Sequence, residues 1–166
     1  MAPITRSNMR RDERGAALVE LALSLPLLLV VIGGIVDFGF LFQRYEVVTN
    51  AAREGARLAS LPGYDETAVR DRVRQYIQSG LSLGTPALNA AVPNDATGVA
   101  LTYPNLTVTS GASTFTVSSA KVDVVYTHQF ILLGSVMPLI NASWGNSFVL
   151  RATSQMRLEP GAGAGS

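Results

Sequence analysis

The chain has 166 residues, 48% of them hydrophobic and only 15% charged, with a formal net charge of +1. That length accommodates one small domain plus an anchor, and the near-zero charge argues against a strongly basic nucleic-acid binder. Cysteine is absent, which excludes a disulfide framework, a thiolate metal site and a cysteine nucleophile.

Residues 1–14 are polar and carry Arg6, Arg10, Arg11 and Arg14. From Ala16 to Phe42 only Glu20 and Asp37 are charged. This apolar stretch is roughly 27 residues, and at about 1.5 Å per residue it can cross a ~30 Å hydrocarbon core with room for tilt. Pro26 and Gly33-Gly34 are tolerated in membrane helices and allow a kink. The basic residues before the span, weighed against Arg44, Arg53 and Arg57 after it, favour the N-terminus inside. A cleaved secretory signal is the competing reading. Its apolar core usually runs about 7–15 residues to a small-x-small site. This run is longer, so an anchor is favoured.

Glu20 sits just inside the apolar segment, where a charge costs on the order of 2.5–3.5 kcal/mol, which makes it a functional candidate. The alternative is an interfacial acid whose side chain reaches the headgroups. Asp37 falls near the other interface, where a carboxylate is cheap, and is read as without special role. Gly15 draws attention through its spacing from Glu20.

Gly15, four mostly apolar residues, then Glu20 resembles a type IV prepilin-like leader. The run RGAALVELALSLPLLLVVIGGIVDFGFLF, followed by TNAAREGAR, resembles the TadE-like family of the tight-adherence (Flp) pilus system. The resemblance covers roughly residues 14–59. It implies a minor pilin or pseudopilin, a substrate for a prepilin peptidase that cuts between Gly15 and Ala16. It also implies assembly with other pilin or pseudopilin subunits on the pilus assembly platform. The expected location is the bacterial inner membrane, single-pass, with the C-terminal domain outside, or the pilus itself. Cleavage would leave an ammonium on Ala16, and residues at i and i+4 share one helical face. Glu20 would then pair with the amine of a neighbouring subunit. One departure is Leu21, where pilin-like members often carry an aromatic residue. An uncleaved, membrane-anchored binding module is the alternative function.

Beyond Phe42 the helical pattern continues as a stalk to Leu61-Pro62-Gly63. Ala51, Gly55 and Ala59 recur at intervals of four, as do Ala52 and Ala56. Small residues at this spacing admit close helix approach, either to another subunit or to the chain's own domain. Arg53, Glu54 and Arg57 read as a solvated, ion-paired face. Asp65 is a plausible N-cap for a second helix with Val69, Val73, Tyr76 and Ile77 as its buried stripe and Gly80 at its end. Residues 80–98 read as loop.

The remainder is strand-like. Thr114–Val117 and Lys121–His128 alternate, with Val122, Val124 and Tyr126 on one face; Phe148, Leu150, Ala152, Met156 and Leu158 mark a last strand. Pro104 demotes or splits a strand around Leu101–Val108. Phe130–Ile140 is apolar but too short to span a bilayer; it reads as a core connection, with a dip into the outer leaflet as the alternative. Residues 161–166 form a flexible tail.

The expected fold class is therefore α+β. The expected divisions are a leader at 1–15, a transmembrane helix at 16–42, a stalk helix at 43–61 and an extracytoplasmic domain at 62–160. His128 stands alone, and no nucleophile elbow, phosphate loop or metal-ligand spacing occurs. No enzyme activity, cofactor, metal or nucleic-acid partner is expected.

Overall fold

A computed structural model describes residues 6–136, 146–160 and 162, with side chains from Gly15 onward except those of Ser110 and Val136. The leader residues 1–5, Pro138, Ile140, nearly all of the tail and the 137–145 segment lie outside the described residues. The architecture is α+β.

A single helix, α1 (Arg6–Ala59), runs through Pro26 without interruption and carries the apolar segment and the stalk together. It ends before Gly63, whose φ of 86° is a left-handed conformation that glycine adopts without steric cost. Asp65 then caps α2 (Glu66–Leu81), its carboxylate accepting the Ala68 N–H at 2.8 Å. This satisfies one of the donors that a helix start leaves free. Val69, Val73 and Ile77 are fully buried, as their spacing predicts. Tyr76 is not part of that stripe: it is exposed, and Arg74 is buried instead. The Arg74 guanidinium donates to the Val92 carbonyl and the Asn89 side chain. Burial of the charge is tolerated because its donors find acceptors.

Two local expectations need correction. Gly80 does not terminate α2; the helix continues to Leu81, and Ser82 takes the left-handed cap position. Gly80 instead lets α1 approach, since a Cβ there would lie 2.8 Å from Val47 Cγ1. The stretch read as loop contains α3 (Thr85–Ala91), started by Pro86 in its first turn and held to α2 by Arg74. Proline at that position needs no N–H partner, so an apparent breaker is a starter.

The sheet is organised around one long strand. β1 (Val99–Thr102) and β2 (Asn105–Ser110) are the two halves of the strand that Pro104 divides. Both pair antiparallel with β3 (Ser113–Gln129), β1 against its middle and β2 against its first part. The backbone N–H and hydroxyl of Ser119 both donate to the Pro104 carbonyl, bridging the break. Gly111, with φ of 62°, opens the two-residue turn between β2 and β3. After the short α4 (Leu133–Val136), β4 (Ser147–Arg157) pairs antiparallel along the other edge of β3.

Val122, Val124 and Tyr126 face inward from β3, with Val99 of β1 and Leu150 and Ala152 of β4. They meet Val69, Val73 and Ile77 of α2 and one face of α1. Each fully buried Val or Ile contributes on the order of 1.5–3 kcal/mol relative to exposure. Phe148, expected on the buried face of the last strand, is instead about half exposed.

Candidate functional site

Two regions of α1 bear on function. The first is the junction at Gly15, Ala16 and Glu20, all exposed on the helix surface. Nothing lies within 4 Å of a Cβ built on Gly15. The Glu20 main-chain carbonyl accepts the Ser24 hydroxyl. Leu18, Val19, Leu21, Leu23 and Leu25 are exposed around it. The chain buries only 6% of the most apolar 18-residue window of this helix. In water such a surface would forfeit about 25 cal/mol for every Å² left uncovered, so it requires a lipid or protein environment.

The second region is the opposite end of the apolar segment. Gly33, Gly34, Asp37, Leu41, Arg44, Val48, Ala51, Ala52, Gly55, Ala56 and Ala59 follow helical spacing along one stripe of α1. The stripe is covered by the rest of the chain along its whole length. Its lower part holds the small residues of the stalk. Ala51, Ala52 and Ala56 are fully buried, Ala59 nearly so, and Gly55 is buried as well. A Cβ on Gly55 would lie 2.5 Å from Val73 Cγ2 and 3.3 Å from Val122 Cγ1. Within the chain these residues pack against its own α2 and sheet.

Glu54, Arg57 and Arg72 join the two helices on the solvent side. Glu54 pairs with Arg57 at 3.0 Å and with Arg72 of α2 at 3.1 Å. The Arg57 hydrogen bond chiefly holds the Glu54 carboxyl below its ordinary range, with Arg72 adding to it. Because both arginines are half exposed, solvent screens the network and it contributes little to stability.

Asp37 overturns its sequence reading. It is fully buried. Its carboxylate accepts N–H groups from Ile131 at 3.2 Å, Leu132 at 3.0 Å and Leu133 at 2.7 Å. The Leu133 N–H opens α4 and the other two lie just before it, so the carboxylate takes donors that no helix hydrogen bond satisfies. A chain segment 94 to 96 residues away is thereby tied to the apolar helix. Two signals in the sequence could have flagged Asp37. It is one of only two charges in the apolar run, and the argument that raised Glu20 applies to it equally.

Aromatic and basic groups complete this clasp. Phe130 packs edge-on against Phe38 of α1, with centroids 6.3 Å apart, and against His128 at 5.1 Å. Arg44 contacts His128 Nδ1. A guanidinium can only donate, so Nδ1 is the acceptor and the ring proton sits on Nε2. Nε2 is buried and has no hydrogen-bond partner among the described residues. Burial, and then the Arg44 charge, push the His128 pKa down, with Asp37 opposing. The ring is therefore a neutral part of the packing. Phe130–Val136 is not a core connection, since Ile131 is 53% and Leu132 44% exposed.

Among the described residues no group of three or more His, Asp or Glu side chains gathers in a way that could hold a metal.

In comparison with known proteins, residues 15–57 match the family model described as TadE-like protein, roughly a quarter of the chain. No curated protein and no solved structure gives a significant match. The matched segment runs from the leader junction through the whole apolar stretch into the small-residue stalk. Over that segment the chain is similar to TadE-like proteins, and among the described residues α1 is the helix long and apolar enough to cross a bilayer.

Proposed function

We propose that this protein is a minor pilin or pseudopilin of a tight-adherence (Flp-type) pilus, processed between Gly15 and Ala16 by a prepilin peptidase. The observation that carries the reading is the coincidence of the TadE-like match with a helix whose apolar surface the chain leaves uncovered. A subunit that moves from a bilayer into a helical bundle of pilins needs such a surface, satisfied by lipid first and by neighbouring helices later.

In this reading the chain inserts N-in, in the inner membrane, and the new ammonium on Ala16 becomes the partner of a neighbour's Glu20. Glu20 is exposed and four residues from Ala16, on the same helical face. A carboxylate at hydrocarbon depth is stabilised far more by an ammonium than by stray water, so the pair would also set the register between subunits. The partners are the prepilin peptidase, other pilin or pseudopilin subunits and the assembly platform. In this reading the small-residue stripe of the stalk, buried against the chain's own domain, seats that domain rather than a neighbour.

The test is the N-terminal residue of the membrane-extracted protein, read by mass spectrometry from cells containing the matching peptidase. A chain beginning at Ala16 supports the processed pilin. A chain still beginning at Met1, where the major pilin is demonstrably cleaved, rejects it in favour of an uncleaved anchored binding module.

A further inference from the structure

We propose that the segment Phe130–Leu133, together with Phe148 and Val149 at the start of β4, is a membrane-embedded foot. It enters the leaflet nearer the C-terminal domain, beside the spanning helix, and its partner is lipid hydrocarbon. Asp37 is the positioning residue that holds it there. The inference rests on α1 crossing the membrane, but not on cleavage or on a pilus role.

The first argument is depth. The foot meets α1 at Gly33, Gly34 and Asp37: a Cβ on Gly33 would lie 3.4 Å from Leu132 Cβ, and one on Gly34 would lie 4.0 Å from Leu133 Cδ2. From Leu21, the first residue past Glu20, to Gly33 the helix rises only about 18 Å, against a hydrocarbon core of ~30 Å. Counting from Ala16 raises this to about 26 Å. On either count the core continues beyond Gly33, and a tilted helix would need still more residues. The Gly33–Leu132 contact therefore lies below the outer edge of the hydrocarbon, and Asp37, about 24 Å from Leu21 and about 32 Å from Ala16, lies inside that edge on the first count and at it on the second.

The second argument is the backbone. Irregular chain within a bilayer is tolerated only where its polar groups are satisfied by protein. The Ile131, Leu132 and Leu133 N–H groups are all taken by Asp37. The Phe130 N–H donates to the Asn146 carbonyl at 3.0 Å. The Ile131 carbonyl accepts the Ser135 hydroxyl at 3.0 Å, and the Leu132 carbonyl accepts the Ser135 N–H at 3.2 Å. Water is needed at none of these positions. The exchange is mutual, because the carboxylate could not sit buried in this apolar segment without those donors.

The third argument is the outward surface. Ile131, Leu132, Phe148 and Val149 are each about half exposed, Ile35 and Phe38 of α1 are exposed as well, and Phe130 packs against Phe38. No charged side chain occurs in the sequence from Phe130 to Leu150. A loop facing water would lose the benefit of burying these groups, whereas lipid solvates them without cost.

The native chain has no cysteine, so single-cysteine variants can be labelled unambiguously. The full chain, reconstituted in phosphatidylcholine–phosphatidylglycerol vesicles, would carry an environment-sensitive fluorophore at Ile131→Cys, Leu132→Cys or Val149→Cys. Leu28→Cys reports the middle of the span and Thr116→Cys the distal hairpin. Lipids bearing a nitroxide high on the acyl chain should quench the three foot positions several-fold and leave Thr116→Cys unquenched, while a deep nitroxide quenches Leu28→Cys. Adding Asp37→Ala should bring Ile131→Cys close to the unquenched level and leave Leu28→Cys as it was. Foot positions that behave like Thr116→Cys while Leu28→Cys is quenched would overturn the proposal and leave the anchor intact. Positions shielded from water-soluble quencher but untouched by the lipid-borne one would overturn it in favour of a protein partner. Quenching at Ile131→Cys that survives Asp37→Ala would remove the role assigned to Asp37. An unquenched Leu28→Cys would overturn the span and the foot together.

Discussion

Gly55→Ala sets two measurable effects against each other. In an open helix interior, replacing glycine by alanine stabilises by up to about 1 kcal/mol, because the chain loses less freedom on folding. At Gly55 the added Cβ would lie 2.5 Å from Val73 Cγ2 and 3.3 Å from Val122 Cγ1. Neither valine can retreat, since both are fully buried in the interface of α1, α2 and β3. Overpacking of this kind costs roughly 1–3 kcal/mol, so the net expectation is a loss of about 1 kcal/mol. In the full chain in nanodiscs, that appears as about fivefold faster hydrogen exchange at the Val122–Tyr126 amides of β3, which open with the whole domain. Gly39→Ala, which meets nothing within 4 Å, should not speed that exchange. Trimming the partner as well, with Val73→Ala in the Gly55→Ala background, should destabilise by less than the sum of the single changes. Slower exchange in Gly55→Ala, or strict additivity of the pair, would refute the close approach of α1 to α2 and β3.

Other outcomes follow from the same geometry. Glu20→Gln should insert and fold as the native chain does but fail to support piliation; normal piliation by the variant would remove the charge-pairing role. Asp65→Ala removes the α2 cap and should cost about 0.5–2 kcal/mol, checked by exchange of the first-turn amides of α2, and an unchanged rate at the Ala68 amide would contradict the 2.8 Å bond. For His128 the folded-state pKa is depressed, so folding favours the neutral ring. Its contribution is fully present above the unfolded value near 6.5 and is lost as pH falls below that value. Denaturation midpoints of the full chain should therefore drop between about pH 6.5 and the onset of carboxylate titration, and the drop should vanish in His128→Gln. Rising stability on acidification through that range would reverse the assignment of Arg44 and burial as the dominant influences.

Much of this protein is legible locally. The apolar run of α1, the Asp65 cap, the alternation of Val122, Val124 and Tyr126 and the break at Pro104 are written within a few residues of where they act. Helical period, capping and missing N–H groups are short-range physics, and so is the Gly15–Glu20 spacing that led to the TadE-like match. Three features needed the tertiary structure. Gly80 has a local meaning, a helix end, that a neighbouring element overrides by bringing Val47 against it. The small residues of the stalk allow close approach to any partner, and only the folded domain shows that α2 and β3 take the place. Asp37 is the clearest case. Its value depends on three N–H groups that arrive from more than ninety residues away. A buried carboxylate is costly alone and stable once those donors meet it, and periodicity along one helix carries no record of which distant backbone will do so.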